Sequence, residues 1–440
     1  MFNVGEVINT DTGEEVKILQ FLSDINGTSV YKVRIDQDTL ILRWFEKELY
    51  KDHFIVIERI CKEKWPKEFV LPVKVFRVKN KDVDGFGYIE PFVSEEYRDA
   101  FDYFRSSSDK QATRFTTYQA MLQACLNISV SVQRMLLKGY SFRDGIHPGH
   151  FTIHPATGEV YIIGLEELIL IGSEGAYGYG PANRLVQYSA PECIETNQSS
   201  IESDSFSLAI LLYRLIFIDH PFEGALRGNV ALITRDVKKL FWREKEVFHL
   251  DPNNDSNRPT DIYAPNVLIK WNTMPLELRN SFIRVFTEGI RDPQKRLIAG
   301  QWVQTLISCR NKLIRLNEKR EHFVNFEDVR TIPPRCLGLK VDGQKIALYP
   351  QKAIYSYSIR AGMKHDSIIA GVLYRRDIDS LMIKNMTADV FRVWSPETKQ
   401  VSTLTSGDEY PLSPGVMIEF QKENPRIVGE IFDVRIRKID

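Results

Sequence analysis

The apolar positions change rhythm three times along the chain. Up to about residue 45 they come in short runs, VKILQFL and SVYKVRI, broken by the turn formers DTG and DQD. Such β-branched runs between turns read as strands. Phe54, Ile57 and Cys61 then share one helical face, and Pro66 ends that helix. FVLPVKVF and GFGYIEPF return to strand. The first hundred residues are therefore predicted to form a small, mostly β unit with one helix.

From about 105 to 320 the rhythm is helical. Met121, Cys125, Ile128, Val132 and Met135 are spaced by four, three, four and three residues, an amphipathic stripe. FSLAILLYRLIFI at 206–218 is apolar all round and predicts a helix buried on every side, with Asp204 placed to cap it. LELRNSFIRVFTEGI and GQWVQTLISCRNKLIRLNEKR read as further helices. After the polar stretch NEKREHFVNFEDVR and Pro333-Pro334 the period becomes two. Leu337, Leu339 and Val341 alternate, Asp342-Gly343 turns the chain, and Ile346 and Leu348 alternate back. LMIKN, DVFRVW, VMIEF and IFDVRIR continue the pattern, which predicts a β-sandwich. The expected class is α+β, with units at 1–92 and 93–320, a linker at 321–332 and a sandwich at 333–440.

Composition acts mainly by exclusion. The 58 Lys and Arg balance 58 Asp and Glu, so net charge points to no nucleic-acid or acidic-membrane partner. The five cysteines are scattered without a CxxC pair, which argues against a zinc knuckle or disulfide framework. The start, MFNVGEVINTDTGEE, lacks the regions of a signal peptide, and no apolar run approaches the roughly 18 residues of a membrane span. A cytoplasmic protein is the expectation.

A small β unit, one helix and a larger helical unit is the order of a protein kinase. Phosphoryl transfer from ATP is mostly positioning and electrostatics, so it needs a short set of parts. YSAPE at 188–192 resembles the motif that closes a kinase activation segment. Asp204, leading the buried helix, resembles the aspartate that holds the catalytic-loop backbone. Arg296 in RDPQKR resembles the arginine that pairs with the activation-segment glutamate, here Glu192. SFRDG at 141–145 resembles the HRD motif, with Phe142 for His and Asp144 as candidate base. RDGIHPGHFTIHPATGEVYII, HPFEG, DPNNDSNRP and FTEGIRDP are similar to one bacterial group. Its kinases are encoded with a von Willebrand A-domain protein and a metal-dependent phosphatase, in triads linked to tellurite resistance or stress.

The resemblance implies ATP and magnesium, and it exposes departures. Its nucleotide positions fall on Gly27, Arg43, Glu58, Glu90 and Phe92. In LSDINGTSVYKV, Ser23, Ile25 and Thr28 stand at the usual glycines, so a plain hairpin is expected rather than a phosphate cradle. LILRWF puts Arg43 where a lysine belongs, with Glu58 as its expected helix partner. Gly164-Leu165-Glu166 falls on the metal-binding DFG triplet, and His150 on the magnesium asparagine. Glycine offers no side-chain oxygen, and imidazole suits magnesium badly. Glu166 or Glu167 is the candidate replacement. His147, His150 and His154 are read as polar residues of a loop and strand, not as a metal cluster.

Two other patterns carry no chemistry. DPNNDSNRP resembles a calcium loop but has Ser256 and Ile262 where Gly and Glu are needed, and reads as an Asx-turn loop. No GxSxG elbow supports hydrolase chemistry. The last domain resembles a forkhead-associated sandwich, in LYRRDIDSLMIKNMTADVFRVW and YPLSPGVMIEF, without that family's phosphothreonine signature. Arg375 and Arg376 there read as a solvated pair. The expected function is that of a pseudokinase, an allosteric or scaffolding partner in a phosphorylation-linked system. The alternative is an active serine/threonine kinase with Asp144 as base. An aminoglycoside-type phosphotransferase is disfavoured by the APE segment and Arg296.

Overall fold

Strand Thr28–Ile35 (β3) alternates half-buried and buried residues, the signature of a sheet with two unlike faces. It lies inside a six-stranded antiparallel sheet with Val7–Asn9 (β1), Glu15–Ile25 (β2), Asp38–Phe45 (β4), Lys74–Phe76 (β5) and Phe86–Pro91 (β6). The order is β1-β2-β3-β4-β6-β5. This computed structural model describes residues 2–25, 28–45, 51–78, 86–171, 185–196, 200–229, 247–360, 363, 365–421 and 427–435. One face of the sheet buries Ile18, Tyr31, Val33, Leu42, Trp44 and Ile89. The other packs Phe45, Phe86 and Tyr88 on Ile57 of helix Lys51–Lys62 (α1). Cys61 does not share that buried face. It is exposed, and Ile60 is buried in its place, because the helix turns Ile57 and Ile60, three apart, inward.

The second region is helical. Helix Tyr118–Leu137 (α2) buries its whole predicted stripe, and Thr117 caps it by accepting the Ala120 N–H. Helix Pro191–Thr196 (α3) carries Glu192. Helix Ile201–Phe217 (α4) is buried on nearly every side, as its composition predicts. Its cap is Ser200, in a capping box with Ser203, and not Asp204. The helix begins one turn earlier than the apolar run suggests, which leaves Asp204 inside it. Helices Leu276–Phe286 and Ala299–Lys312 complete the core.

The last predicted helix stops short. Leu313–Asn317 and Arg320–Phe323 form an antiparallel hairpin across the expected boundary at 320. Its apolar residues face both ways, Leu313 and Phe323 into the helical core and Ile314 toward the C-terminal sheet. Ile314 and Val324 bury with Ile332, Cys336, Ala347 and Val434.

Residues 337–432 form two antiparallel sheets. The six-stranded one runs Gln344–Leu348, Leu337–Val341, Ile427–Phe432, Met417–Gln421, Phe391–Trp394, Val401–Leu404. The four-stranded one runs Ala353–Tyr355, Ile368–Arg375, Ser380–Asn385, Glu409–Pro411. Leu339, Ile346, Val372, Ile383, Val393 and Ile418 fill the space between them.

The sandwich is seated on the helical region through polar groups as well as apolar ones. Arg310, buried at the end of the last helix, pairs with Asp366 and lies over the Tyr355 ring at 4.1 Å. Lys352 Nζ donates to the Arg310 and Leu313 carbonyls at 2.6 Å each, satisfying a helix C-terminus. Arg134 donates to Glu68 at 2.6 Å and to the Tyr357 hydroxyl at 3.4 Å. Among the described residues, no helix is long and apolar enough to cross a membrane.

Candidate functional site

The polar residues of the inner sheet face meet the turn after strand Val160–Ile162. Register explains the meeting. Arg43 on β4 lies opposite Tyr88 on β6, and Ile41 lies opposite Glu90. Arg43, Tyr88 and Glu90 therefore point to one face. Gly164 has φ +73, a conformation that glycine adopts without strain, and it opens the single 3-10 turn Leu165–Glu167. That turn delivers Glu166 into the cluster. Arg43 Nε donates to Glu90 at 2.8 Å and its Nη1 donates to Glu166 at 3.0 Å. The Tyr88 hydroxyl donates to the other Glu166 oxygen at 2.5 Å.

Two carboxylates share one guanidinium inside the protein. Burial works against the Arg43 charge, but Glu166 and Glu90 outweigh it and hold the guanidinium above its ordinary range. Glu90 is 3% exposed, and its Oε2 has no hydrogen-bond partner. Burial pushes its carboxyl up, Arg43 opposes that only in part, and Glu166 adds to it. A carboxyl raised on folding stabilises the protein most at low pH, and that contribution is lost as pH rises through the folded value. Glu90→Gln is therefore expected to leave thermal stability unchanged near pH 4. It should gain on wild type as pH rises from the ordinary carboxylate range through the folded value, and the difference should then level off. A variant less stable than wild type at pH 8 would contradict this charge assignment.

Glu58 is not Arg43's partner. It is exposed on α1, and the carboxylates that reach Arg43 come from β6 and the 165–167 turn. Phe92 is half-buried at the end of β6, under the Lys32 ammonium at 4.3 Å. Gly27 lies outside the described residues. The flanking strands pair as far as Ile25 and Thr28.

Asp144 follows the short strand Tyr140–Phe142. Asp204 accepts from Ser141 on that strand at 2.5 Å, so the buried helix does hold the segment leading into the loop. Arg143 donates to Glu167 at 3.0 and 2.8 Å, closing the loop against the 165–167 turn. Asp144 itself faces two imidazoles. His147 Nε2 lies 2.7 Å from Oδ2, and His150 Nε2 lies 3.4 Å from Oδ1. Burial opposes the Asp144 charge, but His150 and His147 outweigh it and hold the carboxyl below its ordinary range. Burial pushes His150 down to about 4, so its ring is neutral at neutral pH. His150 stacks flat on Phe142, with ring centres 3.6 Å apart and planes within 6°. Pro148 starts the turn that carries His150, and Ile163 N–H anchors it by donating to the His150 carbonyl.

Among the described residues, Asp144, His147 and His150 are the one group of His, Cys, Asp or Glu that could hold a metal ion. This differs from the sequence reading, which gave all three histidines plain polar roles. His147 also fills a polar role by bonding Asp144 and accepting the Gly149 N–H, while His154 stands apart from the group and accepts the Ala156 and Thr157 N–H groups. Proximity of His147 and His150 was hidden by the turn between them, since HxxH spacing alone suggests a helix. One carboxylate and two imidazoles do not fit magnesium, which prefers oxygen donors, and Gly164 adds none.

The structural pairs expected at the far side form. Arg296 meets Glu192 in a two-pronged pair at 2.6 and 3.0 Å. It also donates to the Gly289 and Glu202 carbonyls. The 251–259 loop is built on Asx turns, with Asn253 N–H on Asp251 and Ser256 N–H on Asn254. Arg375 pairs with Glu409 on the neighbouring strand. No protein-family model matches this chain, and no curated protein matches it.

Proposed function

We propose that this chain is a protein-kinase-like protein with degraded catalysis, a pseudokinase of the bacterial cytoplasm carrying a forkhead-associated-like sandwich. It acts as an allosteric or scaffolding partner. By the resemblance of its motifs, its partners are a von Willebrand A-domain protein and a metal-dependent phosphatase. The observation that carries the reading is the buried cluster of Arg43, Glu90, Glu166 and Tyr88. On the kinase alignment this is where triphosphate and metal would lie. An incoming phosphate would have to displace carboxylates already bonded to the cation meant to receive it. Gly164 supplies no metal-binding oxygen, and Asp144 spends an oxygen on His147 instead of a substrate hydroxyl.

One observation favours the active-kinase alternative. Glu166 does point into the cleft beneath Arg43, where a displaced acidic ligand would be needed. Incubation with labelled ATP and magnesium or manganese separates the two readings, with Asp144→Asn as control. The pseudokinase reading expects transfer no greater in wild type than in the variant. Transfer that disappears in Asp144→Asn makes the chain a kinase. A melting-temperature shift with ATP, with and without metal, reports nucleotide binding independently of chemistry.

A further inference from the structure

The loop after strand Tyr140–Phe142 brings two imidazoles against one carboxylate. His150 is 3% exposed, and neither ring nitrogen makes a normal hydrogen bond to protein. Its Nε2 is 3.4 Å from Asp144 Oδ1, and its Nδ1 has no partner. Asp144 Oδ1 is likewise buried without a hydrogen bond. A buried imidazole and a buried carboxylate oxygen left so are costly unless something else satisfies them. Their separation suits two ligands of one ion, because donors bound at about 2.0–2.2 Å stand roughly 3–3.5 Å apart. The donor atoms of Asp144, His147 and His150 all lie within 4.8 Å of one another.

We propose that Asp144, His147 and His150 form a site for a borderline transition-metal dication of the zinc class, and not for magnesium. Two imidazoles and one carboxylate are a donor set suited to such ions, and three protein ligands leave a coordination position open. His147 now accepts the Gly149 N–H on Nδ1 at 3.1 Å, so its proton sits on Nε2 toward Asp144. Metal binding removes that proton from Nε2, shifts the ring to the Nδ1-protonated form and releases Gly149. The turn Pro148–His150 rearranges locally as the ion enters. Phe142 fixes the plane of the His150 ring by stacking on it. The site stands on these side chains alone and does not depend on the kinase reading.

The test uses the untagged full-length chain after chelator treatment, titrated with zinc, cobalt and magnesium chlorides by calorimetry. One zinc per chain is expected, with magnesium bound at least 100-fold more weakly. The cobalt form should show the visible absorption of a low-coordinate nitrogen and oxygen site. His147→Gln and His150→Asn should each weaken zinc by roughly 100-fold or more, and His154→Ala should not change it. Circular dichroism of each variant separates lost ligation from lost folding, and the wild-type cobalt spectrum needs no variant. Absence of stoichiometric zinc binding overturns the proposal. So does zinc binding that survives both His147→Gln and His150→Asn, or that disappears with His154→Ala.

Discussion

Arg296→Ala is expected to destabilise the protein by about 3–5 kcal/mol, from two acceptors left without their charged donor at roughly 1–3 kcal/mol each together with the cavity left beside them. The ion pair itself supplies little of that. Glu192 is 39% exposed and returns to water when its partner goes. The cost comes from the Gly289 and Glu202 carbonyls, which lose a charged donor inside the protein. It also comes from the space left beside Phe206, whose ring lies 4.9 Å from the guanidinium. Arg296→Lys should recover only part of the loss, because an ammonium cannot bridge four oxygens in a plane. Urea unfolding followed by tryptophan fluorescence measures both. A loss under about 1 kcal/mol for the alanine variant would mean that this pair is not holding the helices together.

Gly158→Ala should cost a similar amount by a different route. Gly158 has φ +73, and a methyl group there would sit 2.2 Å from the Ala120 carbonyl oxygen and 2.7 Å from the Ala124 nitrogen. Both atoms belong to the backbone of α2, which cannot rotate aside. The left-handed backbone costs an L-residue roughly 1–2 kcal/mol, and forced overpacking adds about 1–3. The turn would move off the helix and break the Asn127 bond to the Gly158 carbonyl. Thermal unfolding of the variant checks this, and an unchanged melting temperature would show that the turn shifts freely.

Legibility in the sequence followed how local the cause was. The α2 stripe and the buried α4 were readable because a repeating apolar pattern declares its own partner face. The end of the last helix was not. LIRL after Lys312 continues a plausible helical pattern, and its pairing with Arg320–Phe323 makes it a strand. The Arg296–Glu192 pair was readable because both residues sit in motifs with known spacing. The Arg43 cluster was half readable. Arg43 and Glu166 stood out as replacements, but Glu90 became Arg43's partner through strand register 47 positions away. A charged residue within the apolar strand FGYIEP was the one available signal, and it does not name its partner.

Tyr357 leaves the sandwich and lodges among the residues of the helical core. Its hydroxyl receives Arg134, which reaches in the other direction to Glu68, whose carbonyl accepts the Ile162 N–H. One arginine thus ties a segment before the helical core to one after it. Trimming the chain after residue 332 would pull a plug from the middle of what remains, opening an apolar socket and idling half of that handshake. The C-terminal portion is better regarded as the stopper of this vessel than as cargo tied to its neck.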